Sequence, residues 1–163
     1  MKIVVLSDTH IPHRATDLPG PVWDAIESAD LVIHAGDFTS YDFLVELRAV
    51  KEVKGVCGNM DEYRIAEELP EKAVFELEGV RIGVIHGFGA PLGLEQRVRK
   101  RFQDDQVNLI IYGHSHKPVW KQEDGVYILN PGTPTDTLFS RKRTYAILHI
   151  QNGNIEGEII PIR

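Results

Sequence analysis

Five short segments gather side chains that can hold a metal ion: Asp8-Thr9-His10, Gly36-Asp37, Gly58-Asn59, His86-Gly87 and Gly113-His114-Ser115-His116. Asp8 and Asp37 offer hard carboxylate oxygens and Asn59 a neutral carbonyl oxygen. His10, His86, His114 and His116 offer borderline imidazole nitrogens. Such a mixed set suits Mn²⁺, Fe²⁺, Ni²⁺ or Zn²⁺, whereas Ca²⁺ prefers oxygen throughout. In Asp8/His10 and His114/His116, the spacing of two predicts extended backbone projecting both side chains to one face. The neighbouring glycines allow tight backbone turns beside the ligands. Taken singly, each segment is ordinary, because Gly-Asp and Gly-Asn are mostly turns and Asp-x-His is a common surface pair. Their weight lies in where they fall along the chain.

Each segment directly follows a predicted strand. Runs rich in apolar residues at 3–6, 31–33 and 53–57 precede Asp8, Asp37 and Asn59; runs at 80–85 and 109–112 precede His86 and His114. Helical patterns over 22–29, with Pro21 in the first turn, and over 41–49 separate the first three runs. That alternation predicts a parallel sheet covered by helices. In such a sheet the loops beyond the carboxyl ends of the strands share one edge, so residues spread over more than a hundred positions converge there. The second half reads as a hairpin, 73–77 and 80–85 around Glu78-Gly79, then a helix over 94–102. Strands follow at 118–122, 126–129, 145–150 and 155–160. Strands outnumber helices, which calls for a second sheet packed on the first.

Bulk properties narrow the function. At 163 residues, with 42% hydrophobic and 26% charged residues, the chain fits one globular domain over 1–163. A single cysteine, Cys57, forbids an internal disulfide and points to a reducing cytoplasm. The early apolar run at 3–6 is too short for a signal-peptide core, and nothing later approaches a membrane span. The formal net charge of −6 disfavours nucleic-acid polymers as partners. Two divalent ions would make one point of an acidic surface attractive to phosphate. The basic run Arg97, Arg99, Lys100 and Arg101 reads as a solvated helix face, and His34 as a histidine supporting the site. Oligomeric state is not encoded in any of these features.

The ordered set Asp8-x-His10, Gly36-Asp37, Gly58-Asn59, His86 and Gly113-His114-x-His116 resembles the calcineurin-like metallophosphoesterase family. With Asn130-Pro131-Gly132-Thr133, it is similar to the family's small bacterial and archaeal phosphodiesterases. The resemblance covers nearly the whole chain. It implies a two-sheet, four-layer α/β/β/α sandwich and two divalent ions, Mn²⁺ first. Asp8, His10, Asp37 and His116 would hold one ion, and Asp37, Asn59, His86 and His114 the other, with Asp37 bridging. The implied chemistry is attack on phosphorus by a hydroxide that the ions share, with His114, Asn59 and Asp37 at the reacting group and a small phosphate ester as substrate. Where larger relatives carry Gly-Asn-His-Asp, this chain reads Gly58-Asn59-Met60-Asp61. Met60 cannot donate a proton, which favours diesters of good leaving groups. Met60, Asp61 and His13 are the candidates for the leaving-group side. The stretch Asp8 to Arg14 is also similar to the retromer scaffold subunit of the same family, whose implied role is non-catalytic. Asp37 and Asn59 are intact here, which favours the enzyme.

Overall fold

Ile3, Val4, Val5 and Leu6 are all fully buried because their strand has a hydrophobic layer on each face. The computed structural model describes residues 1–163, and this strand, β1 (Lys2–Leu6), is its centre. β2 (Leu31–His34) and β3 (Val53–Gly55) run parallel to it, joined through α1 (Gly20–Glu27) and α2 (Tyr41–Val50). Val4 and Leu6 pack with Val22, Ile26, Phe43 and Leu47 of those helices. Ile3 and Val5 point the other way, into a layer shared with Ile82, Val84, Leu109 and Ile111. At ~1.5–3 kcal/mol per fully buried large aliphatic side chain, both faces of β1 contribute to stability.

The second sheet holds β4 (Lys72–Leu77), β5 (Val80–Ile85), β6 (Leu109–Ile111), β7 (Val119–Glu123) and β8 (Val126–Asn130), in the order β4-β5-β6-β8-β7. Its outer face carries α4 (Leu94–Arg101), whose Leu94 and Val98 pack with Phe102, Ile85, Ile110 and Ile128. The layers are therefore α/β/β/α, as the family resemblance implied.

Two expectations change. The first sheet is mixed: the last strands, β9 (Arg143–Gln151) and β10 (Asn154–Ile162), return to it, β9 lying antiparallel beside β1. A helix absent from the sequence reading, α3 (Tyr63–Glu68), follows the Asn59 loop. It has no side-chain cap and within it only Ile65 is buried, so six residues left no periodic signal. No helix is long and apolar enough to cross a membrane.

β5, β6 and β8 are mutually parallel, as are β1, β2 and β3. Their carboxyl ends meet across the two sheets: the His114 amide donates to Asp8 Oδ2, and His86 Nδ1 to the Ala35 carbonyl.

Candidate metal centre

The backbone departs from the extended form that the spacing of two predicted. Asp8, His10, Asp37, His114 and His116 all sit at positive φ, between 44° and 71°. Side chains rarely tolerate this left-handed region, and runs of it mark sites where surrounding structure imposes strain. Left-handed turns aim alternate side chains inward where extended backbone would carry them along the strand. Two glycines supply clearance. A Cβ on Gly58 would overlap Asp37 Oδ1, and one on Gly113 would lie 2.7 Å from Asp8 Oδ2 and overlap the Ser7 hydroxyl.

Around this edge the ligand atoms are oriented one by one. Asp8 Oδ2 accepts from the Ser7 hydroxyl at 2.7 Å and the His114 amide at 3.0 Å, which leaves Oδ1 facing inward. Asp37 Oδ1 accepts from the Met60 amide at 2.9 Å, leaving Oδ2 inward. His86 Nδ1 donates to the Ala35 carbonyl at 2.8 Å, His116 Nδ1 to Asp136 at 2.7 Å, and His10 Nδ1 lies 3.3 Å from the Thr39 hydroxyl. In each ring the committed nitrogen leaves Nε2 as the inward atom. His114 is reversed: its Nε2 donates to the Gly89 carbonyl at 2.8 Å, so Nδ1 carries the lone pair.

The inward atoms cluster. Asp8 Oδ1 lies 3.2 Å from His116 Nε2 and 3.7 Å from both His10 Nε2 and His86 Nε2; Asp37 Oδ2 lies 3.1 Å from His86 Nε2 and 3.6 Å from His10 Nε2. Asp8, His10 and His116 form one possible metal-holding group, and Asp8, Asp37 and His86 another. Asp8 is common to both, while Asp37 also faces His10 and His86. Asp8 Oδ1, His10 Nε2 and His86 Nε2 are buried without a hydrogen-bond partner. Leaving three such atoms dry is costly unless a cation lies among them, so the donor set fits divalent metal.

The electrostatics agree. Burial alone would raise Asp8, but His86, His10 and His116 hold its carboxyl far below the usual range. Burial works against charge on His86, yet Asp8 and Asp37 push it up to about 9; His116 is raised likewise by Asp8 and Asp136. Protons thus take the place of metal charge in the metal-free site. His34 supports the site as its position indicated: buried and pushed down to about 3, it accepts from the Gly36 amide and contacts the Thr9 hydroxyl.

A cavity of about 700 Å³ opens over the cluster and is lined by His10, Asp37, Asn59, His114 and His116, with Met60 and His13 at its sides. Asp61 does not line it. Its carboxylate accepts from the Asp37, Thr39 and Gly58 amides, so it anchors two ligand loops from beneath and is withdrawn as a leaving-group residue. Cys57, half-buried, has its thiol pushed up by burial and by Asp61, away from nucleophilic thiolate. The basic helix is not a uniform solvated face: Arg99 pairs with Glu123 and Asp124 and Arg101 with Glu71. Arg97 donates to the carbonyls of Phe88, Ala90 and Leu92, stapling the loop that carries Gly89.

Asp136 was not among the expected residues. It is 1% exposed and follows β8, which is parallel to β6. It lies further past its strand than the other segments do, beyond Asn130-Pro131-Gly132-Thr133, so the strand-end rule did not reach it. The preceding Asn130 to Thr135 run braces the ligand loops: Asn130 Nδ2 donates to the Gly113 carbonyl, and the Thr133 and Thr135 hydroxyls donate to the Asp8 and Thr9 carbonyls.

Residues 1–153 match a family model described as the calcineurin-like phosphoesterase superfamily domain. A probable metallophosphoesterase of Methanothermobacter thermautotrophicus is 39% identical over 98% of this chain and 92% of its own length. A phosphodiesterase of Methanocaldococcus jannaschii is 28% identical over 81% of this chain and 83% of its own. Among solved structures, wild-type Vps29 of Entamoeba histolytica complexed with Zn²⁺ superposes with a TM-score of 0.79 at 25% identity, covering 99% of each chain.

Proposed function

The chain belongs to the calcineurin-like phosphoesterase superfamily, and on that premise we propose that it hydrolyses phosphodiesters at a centre of two divalent ions. The observation that carries this reading is the set of buried, unpartnered atoms Asp8 Oδ1, His10 Nε2 and His86 Nε2. In the proposed assignment Asp8, His10, Asp37 and His116 hold one ion and Asp37, Asn59, His86 and His114 the other. Mn²⁺ is the first choice, with Fe²⁺, Ni²⁺ and Zn²⁺ as alternatives. Bound there, the pair supplies Lewis acidity and a water acidified toward neutral pH as nucleophile.

The chain's own residues do the rest. Asp37 neutralises charge between the two ligand groups and is held by the Met60 amide. Asn59 and His114, on the cavity wall, face the phosphoryl group and orient it for in-line attack. Met60 is 53% exposed at the cavity and offers no proton. His13 is the imidazole nearest in sequence that lines the same space. Lacking a donor at Met60, the site favours esters whose leaving group departs as an anion. A diester carries one negative charge and suits a shell in which two divalent cations face the two carboxylates Asp8 and Asp37. The relative named a phosphodiesterase supports this choice. A net charge of −6 argues for a small phosphate ester over a nucleic-acid polymer, and lone Cys57 for the cytoplasm.

The similarity of Asp8 to Arg14 to the retromer scaffold subunit supports a second reading, a metal-binding scaffold without turnover, and likeness to Zn²⁺-bound Vps29 supports its metal binding. One experiment separates them. The protein is stripped of metal, resupplied with single divalent ions, and assayed with an aryl phosphodiester and an aryl phosphomonoester. Diester hydrolysis with Mn²⁺, exceeding monoester hydrolysis, is expected. Two bound ions with no turnover of either ester would favour the scaffold.

A further inference from the structure

The floor of the cavity is polar, but one side of its mouth is not. Leu138 and Phe139 are 76% and 69% exposed, and both line the cavity together with Met60. Single exposed apolar residues are ordinary on a protein surface; three lining one cavity offer apolar contact to a molecule bound there.

This lip is held in place. Directly before it, Thr133, Thr135 and Asp136 are buried. Asp136 uses one carboxylate oxygen for His116 Nδ1 at 2.7 Å and the other for the Leu138 amide at 2.8 Å. Arg14 reaches toward the same carboxylate, 3.9 Å away, and lays its guanidinium over the Phe139 ring, 4.9 Å from the centroid. The Phe139 ring meets the His116 ring edge-on at 6.5 Å. One buried carboxylate thus fixes both a metal-facing imidazole and an exposed aromatic ring at a set distance from it.

We propose that Arg14, Leu138 and Phe139 form a subsite for a planar aromatic substituent of the phosphodiester, a nucleobase or an aryl ring. The inference rests on the phosphodiester reading above and adds the class of ester. With the phosphoryl group at His114 and Asn59, a ring carried on an ester oxygen shares the cavity that Phe139 lines. Phe139 stacked on a guanidinium presents π surface that a flat partner extends, whereas an alkyl chain gains contact area without the stack. Arg14 adds positive charge to the wall of a cavity that is to hold a phosphate monoanion.

The test measures binding, by titration calorimetry on Mn²⁺-loaded protein with metal content verified, of diphenyl, dibutyl and dimethyl phosphate. All three carry the same charge and differ only in their substituents. Diphenyl phosphate should bind about tenfold tighter than dimethyl phosphate, and dibutyl phosphate within about threefold of dimethyl. Phe139→Leu, which keeps apolar bulk and removes the ring, should bring diphenyl phosphate down to the dibutyl level. Equal affinity for diphenyl and dibutyl phosphate, or a diphenyl advantage that survives Phe139→Leu, overturns the subsite. Binding of none of the three, with two ions present, overturns the phosphodiester reading and the subsite with it.

Discussion

His114 and His116 stand two residues apart on one loop, yet they are supported in different ways. His116 is 9% exposed and leans on Asp136, a buried carboxylate. His114 is half-exposed and leans on the carbonyl of Gly89, in an exposed loop that Arg97 staples from α4. The contrast extends across the centre. Asp8, His10 and His116 are buried and braced by the Ser7, Thr39, Thr133 and Asp136 side chains; Asn59 is exposed and His114 depends on a surface loop. One side of the site is held wholly by the core, whereas the other joins buried Asp37 and His86 to Asn59 and His114 on loops. Pre-organised ligands lose less conformational entropy on binding, so the core-held side should take metal first and release it last.

The largest effect expected is on the carboxylates that face both sides. Asp37→Asn and Asp8→Asn should each lower diester hydrolysis on the order of 10³-fold. Metal counting on the two variants distinguishes their roles: the bridging carboxylate is the one whose loss empties both positions, and Asp37 is expected to be it. His116→Ala should empty one position only.

Metal titration tests the contrast itself. Two ions per chain are expected at saturation, leaving in two steps under graded chelation, the looser one from the Asn59 and His114 side. At ~100-fold excess over the dissociation constant, bound metal adds ~2.7 kcal/mol to stability and raises the melting temperature. Simultaneous release of both ions would show that loop and core ligands act as one unit.

The supports sharpen it further. Asp136→Asn leaves an acceptor for His116 Nδ1–H but removes its charge, and should weaken the tighter metal position about 10- to 100-fold. Arg97→Gln should loosen only the weaker position, by about tenfold or less, because it acts through the loop and Gly89. Reversal of that pattern would break the comparison.

The smallest effect is on stability against pH. In the metal-free protein His86 is raised to about 9 by Asp8 and Asp37 against its burial. Its contribution is therefore fully present below ~6.5, the unfolded value, and is lost as pH rises through about 9. The metal-free melting temperature should fall over that interval. Metal needs the neutral imidazole, so the extra stabilisation by Mn²⁺ should grow over the same interval. Parallel curves with and without metal would remove His86 from the ligand set.

Chemical identity and approximate position were legible in the sequence because both have local causes. Apolar runs such as Ile3 to Leu6 make buried strands, and ligands placed after parallel strands meet at one edge, as Asp8, Asp37 and His86 do. Asp61 looked like a substrate-side residue because it follows Asn59 and Met60. Only its three backbone donors, from two separate loops, show it facing beneath the site. Asp136 was missed because its role depends on β8 lying parallel to β6, a pairing made by a strand after an intervening hairpin partner.

From its own residues the sequence determined that seven candidate oxygen and nitrogen ligands would lie at strand ends, that two sheets would carry them, and that Met60 could supply no proton. These follow from side-chain chemistry and hydrophobic periodicity, which are properties of short segments. The tertiary structure alone decided that β9 and β10 close the first sheet, that five ligands adopt left-handed backbone, and which nitrogen of each imidazole points inward. Those outcomes depend on partners such as Ala35, Gly89 and Asp136, lying 20 to 51 residues away along the chain, and hydrogen bonds between such distant positions exist only once the sheets have packed.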